Sequence, residues 1–238
     1  MKKILIFALI VTFIFLIYLG TIDKKVFYLS LGDEYALGKT TNGNYEYSYA
    51  DHIKEYLKEK QVLETYIKEY AKNNYRITDL IKDIEENKKI VINKKPQTIK
   101  NALIKADLVT ISIGTNDIIG KLNMHESYSK KEIYDFIDDF LLDLDQLYKL
   151  IRMYCKEDII IIGYYNFLDD EKLDEVFNYL NQSIKLLSSK YNMETIDMNQ
   201  NFIKYHANNQ TIYPNKEGYY EIYQKIKKLI DIKIFNHN

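Results

Sequence analysis

The 238-residue sequence has little cysteine, proline or glycine and no tryptophan. Its single cysteine, Cys155, excludes a disulfide within the chain. Eight glycines and two prolines beside 47% hydrophobic residues exclude a collagen-like or low-complexity chain, and they fit an ordinary globular domain. An excess of positive charge is missing too, because 33 basic residues face 34 acidic ones. Without a basic surface, we expect no nucleic-acid partner.

Metal-binding patterns are also missing from the sequence. The four histidines, His52, His125, His206 and His237, show none of the short spacings that are typical of zinc ligands. We therefore expect neither a metal nor a cofactor.

The N-terminus carries an uncharged apolar run from Ile4 to Ile22, after Lys2 and Lys3. As a helix this run would be about 28 Å long, close to the ~30 Å hydrocarbon core of a bilayer. No small-residue pair marks a signal-peptidase site at its end. We predict that residues 1–22 are an uncleaved membrane anchor, with the bilayer as partner of residues 4–22 and the following domain outside the cytoplasm. The alternative is a cleaved signal peptide and a secreted protein.

Apolar runs alternate with amphipathic stretches after residue 25. The runs at 26–31, 108–113 and 158–162 are continuous, which is typical of parallel strands buried on both faces. The stretch at 130–154 has the spacing of a long amphipathic helix. Further helices are predicted at 47–57, 79–86, 98–105, 173–191 and 215–234, and a short strand at 194–198. This alternation predicts one doubly wound α/β domain over residues 26–238.

Polar residues follow three of the predicted strands. The first loop holds Gly32, Asp33 and Glu34, and the second holds Gly114, Thr115, Asn116 and Asp117. A third loop spans 163–166. Ligand sites of such sheets lie at the carboxyl ends of the strands, so these loops mark the candidate site. The glycines allow tight strand exits, and the aspartates are typical helix-start residues.

These loops resemble those of the SGNH (GDSL-type) hydrolases. The family's Gly-Asp-Ser block corresponds to Gly32-Asp33-Glu34, and its Gly-x-Asn-Asp block to Gly114-Thr115-Asn116-Asp117. Its Asp-x-x-His-Pro-Asn block corresponds to residues 210–215, and the run 160–166 is similar to its fourth strand and exit loop. The resemblance implies a three-layer α/β/α sandwich with a mostly parallel, five-stranded, flavodoxin-like sheet.

The resemblance also implies an acyl-ester hydrolase with a serine nucleophile, a histidine base and an aspartate that orients it. In this sequence those positions hold Glu34, Tyr213 and Gln210. The family's oxyanion donors include a glycine backbone N–H, whose position holds Asn74, and an asparagine amide, here Asn116. Only Asn116 keeps the family's residue type.

The substitutions remove the atoms that the reaction needs. A carboxylate at position 34 places negative charge where the oxyanion would form, and tyrosine is a poor base because its ordinary pKa is about 10. We therefore predict a pseudoenzyme that binds or scaffolds at the cell surface. Its ligand, a carbohydrate or an acylated surface polymer by analogy with the family, is expected near Glu34, Asn74, Asn116 and Tyr213. The alternative is an active ester hydrolase with an altered or relocated triad.

Overall fold

The computed structural model describes residues 25–92, 94–122, 129–167, 171–198, 200–205 and 212–235. A five-stranded sheet forms its centre, built from β1 (Val26–Gly32), β2 (Leu63–Ile67), β5 (Leu108–Ser112), β6 (Asp158–Ile162) and β7 (Glu194–Ile196). Its order is β2-β1-β5-β6-β7, and every neighbouring pair is parallel. A separate antiparallel hairpin joins β3 (Lys89–Ile92) to β4 (Lys95–Thr98). The predicted doubly wound α/β fold is confirmed.

Eight α-helices lie in the described part of the chain. They are α1 (Glu34–Leu37), α2 (Tyr49–Glu59), α3 (Ile77–Glu85), α4 (Ile99–Lys105), α5 (Thr115–Leu122), α6 (Lys130–Tyr154), α7 (Glu171–Lys190) and α8 (Lys216–Ile230). Helix α2 packs against α8, whereas α6 packs against α3, α4 and α7. Right-handed crossovers between parallel strands place these two groups on opposite faces of the sheet, which gives three layers.

The central strands are buried because helices cover both faces of the sheet. Every residue of β1 and β5 is buried, as the continuous apolar runs predicted. The helix at 130–154 and the strand at 158–162 have the predicted bounds. The other predicted elements that the structure contains begin or end up to four residues away from their expected positions.

Five of the named elements were not predicted from the sequence, namely α1, β2, β3, β4 and α5. Strand β2 lies at the sheet edge and is only partly buried, so it lacks a strong apolar run. The hairpin β3–β4 is mostly exposed and includes Pro96, which has no amide N–H to donate. Helices α1 and α5 begin directly within the first and second polar loops, where the sequence indicated helix-start aspartates but no helix bounds.

Tyrosines contribute several of the largest fully buried side chains, and the hydroxyls of three of them, Tyr28, Tyr49 and Tyr219, have these polar partners. The hydroxyls of Tyr28 and Thr110 lie 2.8 Å apart, and the Tyr49 hydroxyl donates to Ser112 Oγ at 2.9 Å. Tyr219 donates to the Lys39 carbonyl at 2.5 Å. Satisfied phenols let these large rings fill the core without leaving a polar atom unpaired.

The segment predicted as a membrane anchor, residues 1–22, lies outside the described residues. Among the helices within the described ranges, none is long and apolar enough to cross a bilayer.

Candidate functional site

The first loop makes a sharp exit from the centre of the sheet. Gly32 has φ +143°, and a Cβ at this position would lie 2.0 Å from the Ser112 carbonyl oxygen. The next residue, Asp33, donates its N–H to the same oxygen at 2.8 Å. Strands β1 and β5 therefore end side by side, and α1 starts over the gap between their ends.

Asp33 is the N-cap of α1, and its carboxyl group is used by that helix. Its Oδ1 accepts from the Tyr35 N–H at 3.0 Å. The side chain is fully buried, and its Oδ2 has no hydrogen-bond partner in the described structure. Burial raises the pKa of Asp33 to about 8, and the neighbouring Glu34 charge adds to the rise. Asp33 is therefore mainly protonated at neutral pH.

The Glu34 carboxylate is buried, with only 1% of the residue exposed, yet every side of it has a polar partner. Oε1 accepts from the Asn74 backbone N–H at 2.9 Å. Oε2 accepts from the Asn116 side-chain amide at 2.9 Å. Lys39 Nζ lies 4.0 Å from Oε1, and the Tyr213 phenol is near enough for the Glu34 charge to raise the pKa of Tyr213. Each carboxylate oxygen therefore has a hydrogen-bond donor, and a cation lies close by.

Asn74 presents its backbone N–H because its backbone is left-handed, with φ +54°. This conformation favours glycine, and asparagine is among the few other residues that adopt it readily. The family's glycine at this position is thus replaced by a residue that keeps the backbone direction. Its N–H donates to Glu34 Oε1.

Asn116 lies in the first turn of α5, just after the end of β5. Its amide nitrogen donates to both Glu34 Oε2 and, at 3.1 Å, the Tyr75 carbonyl. The Tyr75 contact fixes the amide, so its orientation towards Glu34 is set before anything binds. Asp117 faces elsewhere and accepts from the Ile77 N–H at 3.3 Å, while burial raises its pKa to about 6.

Tyr213 is 8% exposed and forms the outer wall around Glu34. Its ring centroid lies 5.7 Å from that of Tyr35 and 4.7 Å from Lys39 Nζ. Burial and the Glu34 charge raise the pKa of Tyr213 well above its ordinary value. The phenol therefore keeps its proton near neutral pH and does not serve as a base.

Gly114 and Gln210 are the remaining predicted positions. Gly114 has φ +107°, and a Cβ there would lie 2.4 Å from the Tyr164 hydroxyl. This glycine permits the exit from β5 and brings no group to Glu34. Gln210 lies outside the described residues. The structure thus brings Glu34, Asn74, Asn116 and Tyr213 together, and it places Gly32, Asp33, Gly114 and Asp117 around them as support.

Lys39 was not singled out in the sequence. It follows α1 within a turn closed by Gly38, whose φ is +89°. Its proximity to Glu34 depends on this turn, and a lysine in such a lysine-rich chain gives no separate signal. Within the described ranges no group of three or more histidine, cysteine, aspartate or glutamate side chains forms a metal site.

The arrangement has the geometry of an oxyanion hole that already holds an anion. A backbone N–H and a side-chain amide point at the same carboxylate, and donors of these two kinds stabilise the developing charge in acyl transfer. Here the two oxygens of the Glu34 carboxylate accept those hydrogen bonds.

The family model for GDSL-like lipase/acylhydrolase matches residues 25–226. The chain belongs to this family. Solved structures with the same fold include an acetylxylan esterase from Geobacillus stearothermophilus, in a catalytic mutant form, at 15% identity and a TM-score of 0.64. That alignment covers 88% of this chain and 95% of the esterase. No curated protein shows significant sequence similarity to this chain.

A gut microbial diltiazem-metabolizing enzyme also has a structure similar to that of this chain. It is 12% identical, with a TM-score of 0.62, and the alignment covers 87% of this chain and 47% of that enzyme. At such low identities these structures show a shared fold. The GDSL family assignment therefore fixes the architecture of the site, and the chemistry has to be argued from the residues in it.

Proposed function

We propose that this chain is a non-catalytic member of the GDSL family that binds or scaffolds at the cell surface. The observation that supports this most strongly is the pair of hydrogen bonds from Asn74 N–H and Asn116 Nδ2 to the Glu34 carboxylate. These donors would have to release Glu34 before they could stabilise a substrate oxyanion.

Among the described residues around Glu34 there is also no histidine to act as a base. A serine at position 34 would need a base that takes its proton, and the raised pKa of Tyr213 leaves that phenol protonated. The members of a hydrolase triad act together, so the loss of both nucleophile and base abolishes the whole mechanism.

The ligand class and the location are part of the proposal. We propose that residues 4–22 hold the protein in the membrane, because they form an uncharged run long enough to span it. A surface carbohydrate or acylated polymer is the ligand class that the esterase relatives suggest. With Glu34 in place, such a ligand contacts the rim of the site, where Lys39 and Tyr213 lie.

The competing function is an active ester hydrolase, which the family assignment and the esterase neighbours favour. The full-length protein should be incubated with short-chain p-nitrophenyl esters and with a serine-reactive fluorophosphonate. We expect hydrolysis at the uncatalysed rate and no labelling. Hydrolysis above background that a single replacement such as Glu34→Ala or His206→Ala abolishes would establish the active enzyme instead.

Restoration of the family residues supplies a matched set of variants for the same assay. We expect Glu34→Ser alone to stay inactive because Tyr213 cannot accept the proton. The triple change Glu34→Ser, Gln210→Asp and Tyr213→His is the smallest set expected to give turnover, with Asn74→Gly as a fourth change. Activity of the single variant equal to that of the triple variant would contradict this account.

A further inference from the structure

A second concave surface lies apart from the Glu34 site. It is an open groove of about 810 Å³ between the loop at 46–47, helix α2 and the start of helix α8. We call it the aromatic groove. Its lining is mainly aromatic and acidic, and no residue of that lining forms a hydrogen bond with Glu34. The GDSL-type chemistry discussed above does not use it.

Three rings of the aromatic groove are arranged as a floor and two walls. The His52 ring is the floor, stacked on Tyr223 with an interplanar angle of 29°. Tyr47 and Tyr220 stand at 62° and 79° to His52, with centroids 5.5 and 5.4 Å from it. Both tyrosines are about half exposed, at 54% and 50%, so their faces are open to solvent and to a ligand.

Charge in the aromatic groove is predominantly negative. Glu46 is neutralised by Lys216, whose Nζ lies 2.9 Å from Glu46 Oε2. Glu217 and Glu221 also line the groove, and neither forms an ion pair within the described part of the chain. Two carboxylates therefore remain to face a positively charged ligand.

The floor itself does not repel a cation. Burial lowers the pKa of His52, which keeps the imidazole neutral at neutral pH. Aromatic faces that surround a point at ring-contact distance attract a cation through their quadrupoles, most strongly when the cation is weakly hydrated. Nearby carboxylates add a longer-range attraction.

We propose that the aromatic groove binds an organic cation, a small molecule or substituent that carries an alkylammonium group. Tyr47, Tyr220 and His52 enclose the ammonium, and Glu217 and Glu221 balance its charge. The combination of half-exposed ring walls with net negative charge distinguishes this site from a neutral sugar platform, which needs the ring faces and not the charge. The proposal stands independently of whether the Glu34 site is inactive.

Calorimetric titration of the full-length protein with choline tests the charge requirement. The matched control ligand is 3,3-dimethyl-1-butanol, in which a carbon replaces the ammonium nitrogen. We expect saturable choline binding that weakens as salt is added, and no saturable binding of the neutral alcohol. Equal binding of both ligands, or no saturation with millimolar choline, would overturn the proposal. Saturable binding of methyl glucoside without choline binding would also overturn it and would assign the groove to carbohydrate.

Substitutions of Tyr220 test whether the cation binds in the aromatic groove. Tyr220→Leu should lower the affinity for choline about tenfold, because the aromatic face is lost. Tyr220→Phe keeps that face and should change the affinity by less than about threefold. Tyr179→Leu, at a half-exposed tyrosine on α7, is the control and should leave binding unchanged. Each variant is first shown to melt at a temperature near that of the wild type. Equal affinities for Tyr220→Leu and Tyr220→Phe would place any binding elsewhere.

Discussion

Asp33 and Glu34 are adjacent buried carboxyls, and the fold gives them opposite environments. Glu34 meets an N–H, an amide, a phenol and a lysine, whereas Asp33 has one oxygen bonded and the other without a partner. Because burial without a compensating charge disfavours ionisation, Asp33 keeps its proton to a higher pH than an exposed aspartate. Asp33 therefore adds little negative charge beside Glu34 at neutral pH.

This difference makes stability depend on pH. The pKa of Asp33 is about 8 when folded and near 3.8 when unfolded, so the folded state binds one more proton between these values. Stability from this group is fully present below about pH 4 and is lost as pH rises towards 8. Asp117, with a folded pKa of about 6, contributes in the same direction up to that pH.

Asp33→Asn should remove the larger part of this dependence. Asparagine keeps the N-cap bond to the Tyr35 N–H and carries no charge. We expect its stability advantage over the wild type to grow with pH, by at most roughly 1.4 kcal/mol for each pH unit between about 4 and 8. Urea denaturation of both proteins across that window measures it. The exposed Asp135→Asn is the control, and parallel curves for Asp33→Asn and wild type would refute the assignment.

The sequence predicted which side chains come together at the candidate site, but it did not predict their orientations. The order of the loop blocks located Glu34, Asn74, Asn116 and Tyr213, because parallel strands end at one edge of a sheet. The Glu34 carboxylate accepts hydrogen bonds from Asn74 and Asn116 because of its own χ angles and the left-handed backbone of Asn74. Those are properties of packing in three dimensions, which spacing along the chain does not contain.

At the scale of elements, the buried parts were the predictable ones. Strands β1, β5 and β6 are covered on both faces, so burial forces continuous apolar runs that are visible in the sequence. Strand β2 has one open edge and partly exposed residues, so burial does not require a continuous apolar run in its sequence. The hairpin β3–β4 lies outside this sheet and has no buried residue, so its sequence shows no apolar pattern that would predict strands.

The join between β1 and α1 depends on Gly32. In Gly32→Ala the new Cβ would overlap the Ser112 backbone, and the backbone at φ +143° is also strained for alanine. We expect a loss of about 1–3 kcal/mol from overpacking, in addition to the strain. Gly43→Ala is the matched control, since Gly43 has φ +75° and no atom within 4 Å of an added Cβ. Thermal denaturation that ranks the two variants equally would contradict the close approach.

At the scale of the whole molecule, the GDSL-like domain and the apolar N-terminus together predict a surface-anchored protein. Full-length protein should stay with the membrane fraction after alkaline carbonate washing, because residues 4–22 form an uncharged run of membrane-spanning length. A variant that lacks residues 1–22 should be found in the soluble fraction. Release of the wild-type protein to the medium, with an N-terminus near residue 21, would show that the segment is cleaved.

We propose that Glu34 fills an otherwise intact oxyanion hole. Removing the carboxylate in Glu34→Ala leaves the Asn74 N–H without its acceptor and the Asn116 amide with the Tyr75 carbonyl alone, which should cost about 1–3 kcal/mol. An added carboxylate should then occupy the vacated hole and stabilise the folded state by mass action. The matched control is Glu64→Ala, at an exposed glutamate on β2.

The measurement is the melting temperature of wild type, Glu34→Ala and Glu64→Ala against acetate concentration, with chloride at equal ionic strength as reference. We predict a saturable rise with acetate for Glu34→Ala and none for the other two proteins. An equal response of all three proteins, or no response of Glu34→Ala to acetate while it remains folded, would contradict the claim that Glu34 fills a preformed oxyanion hole.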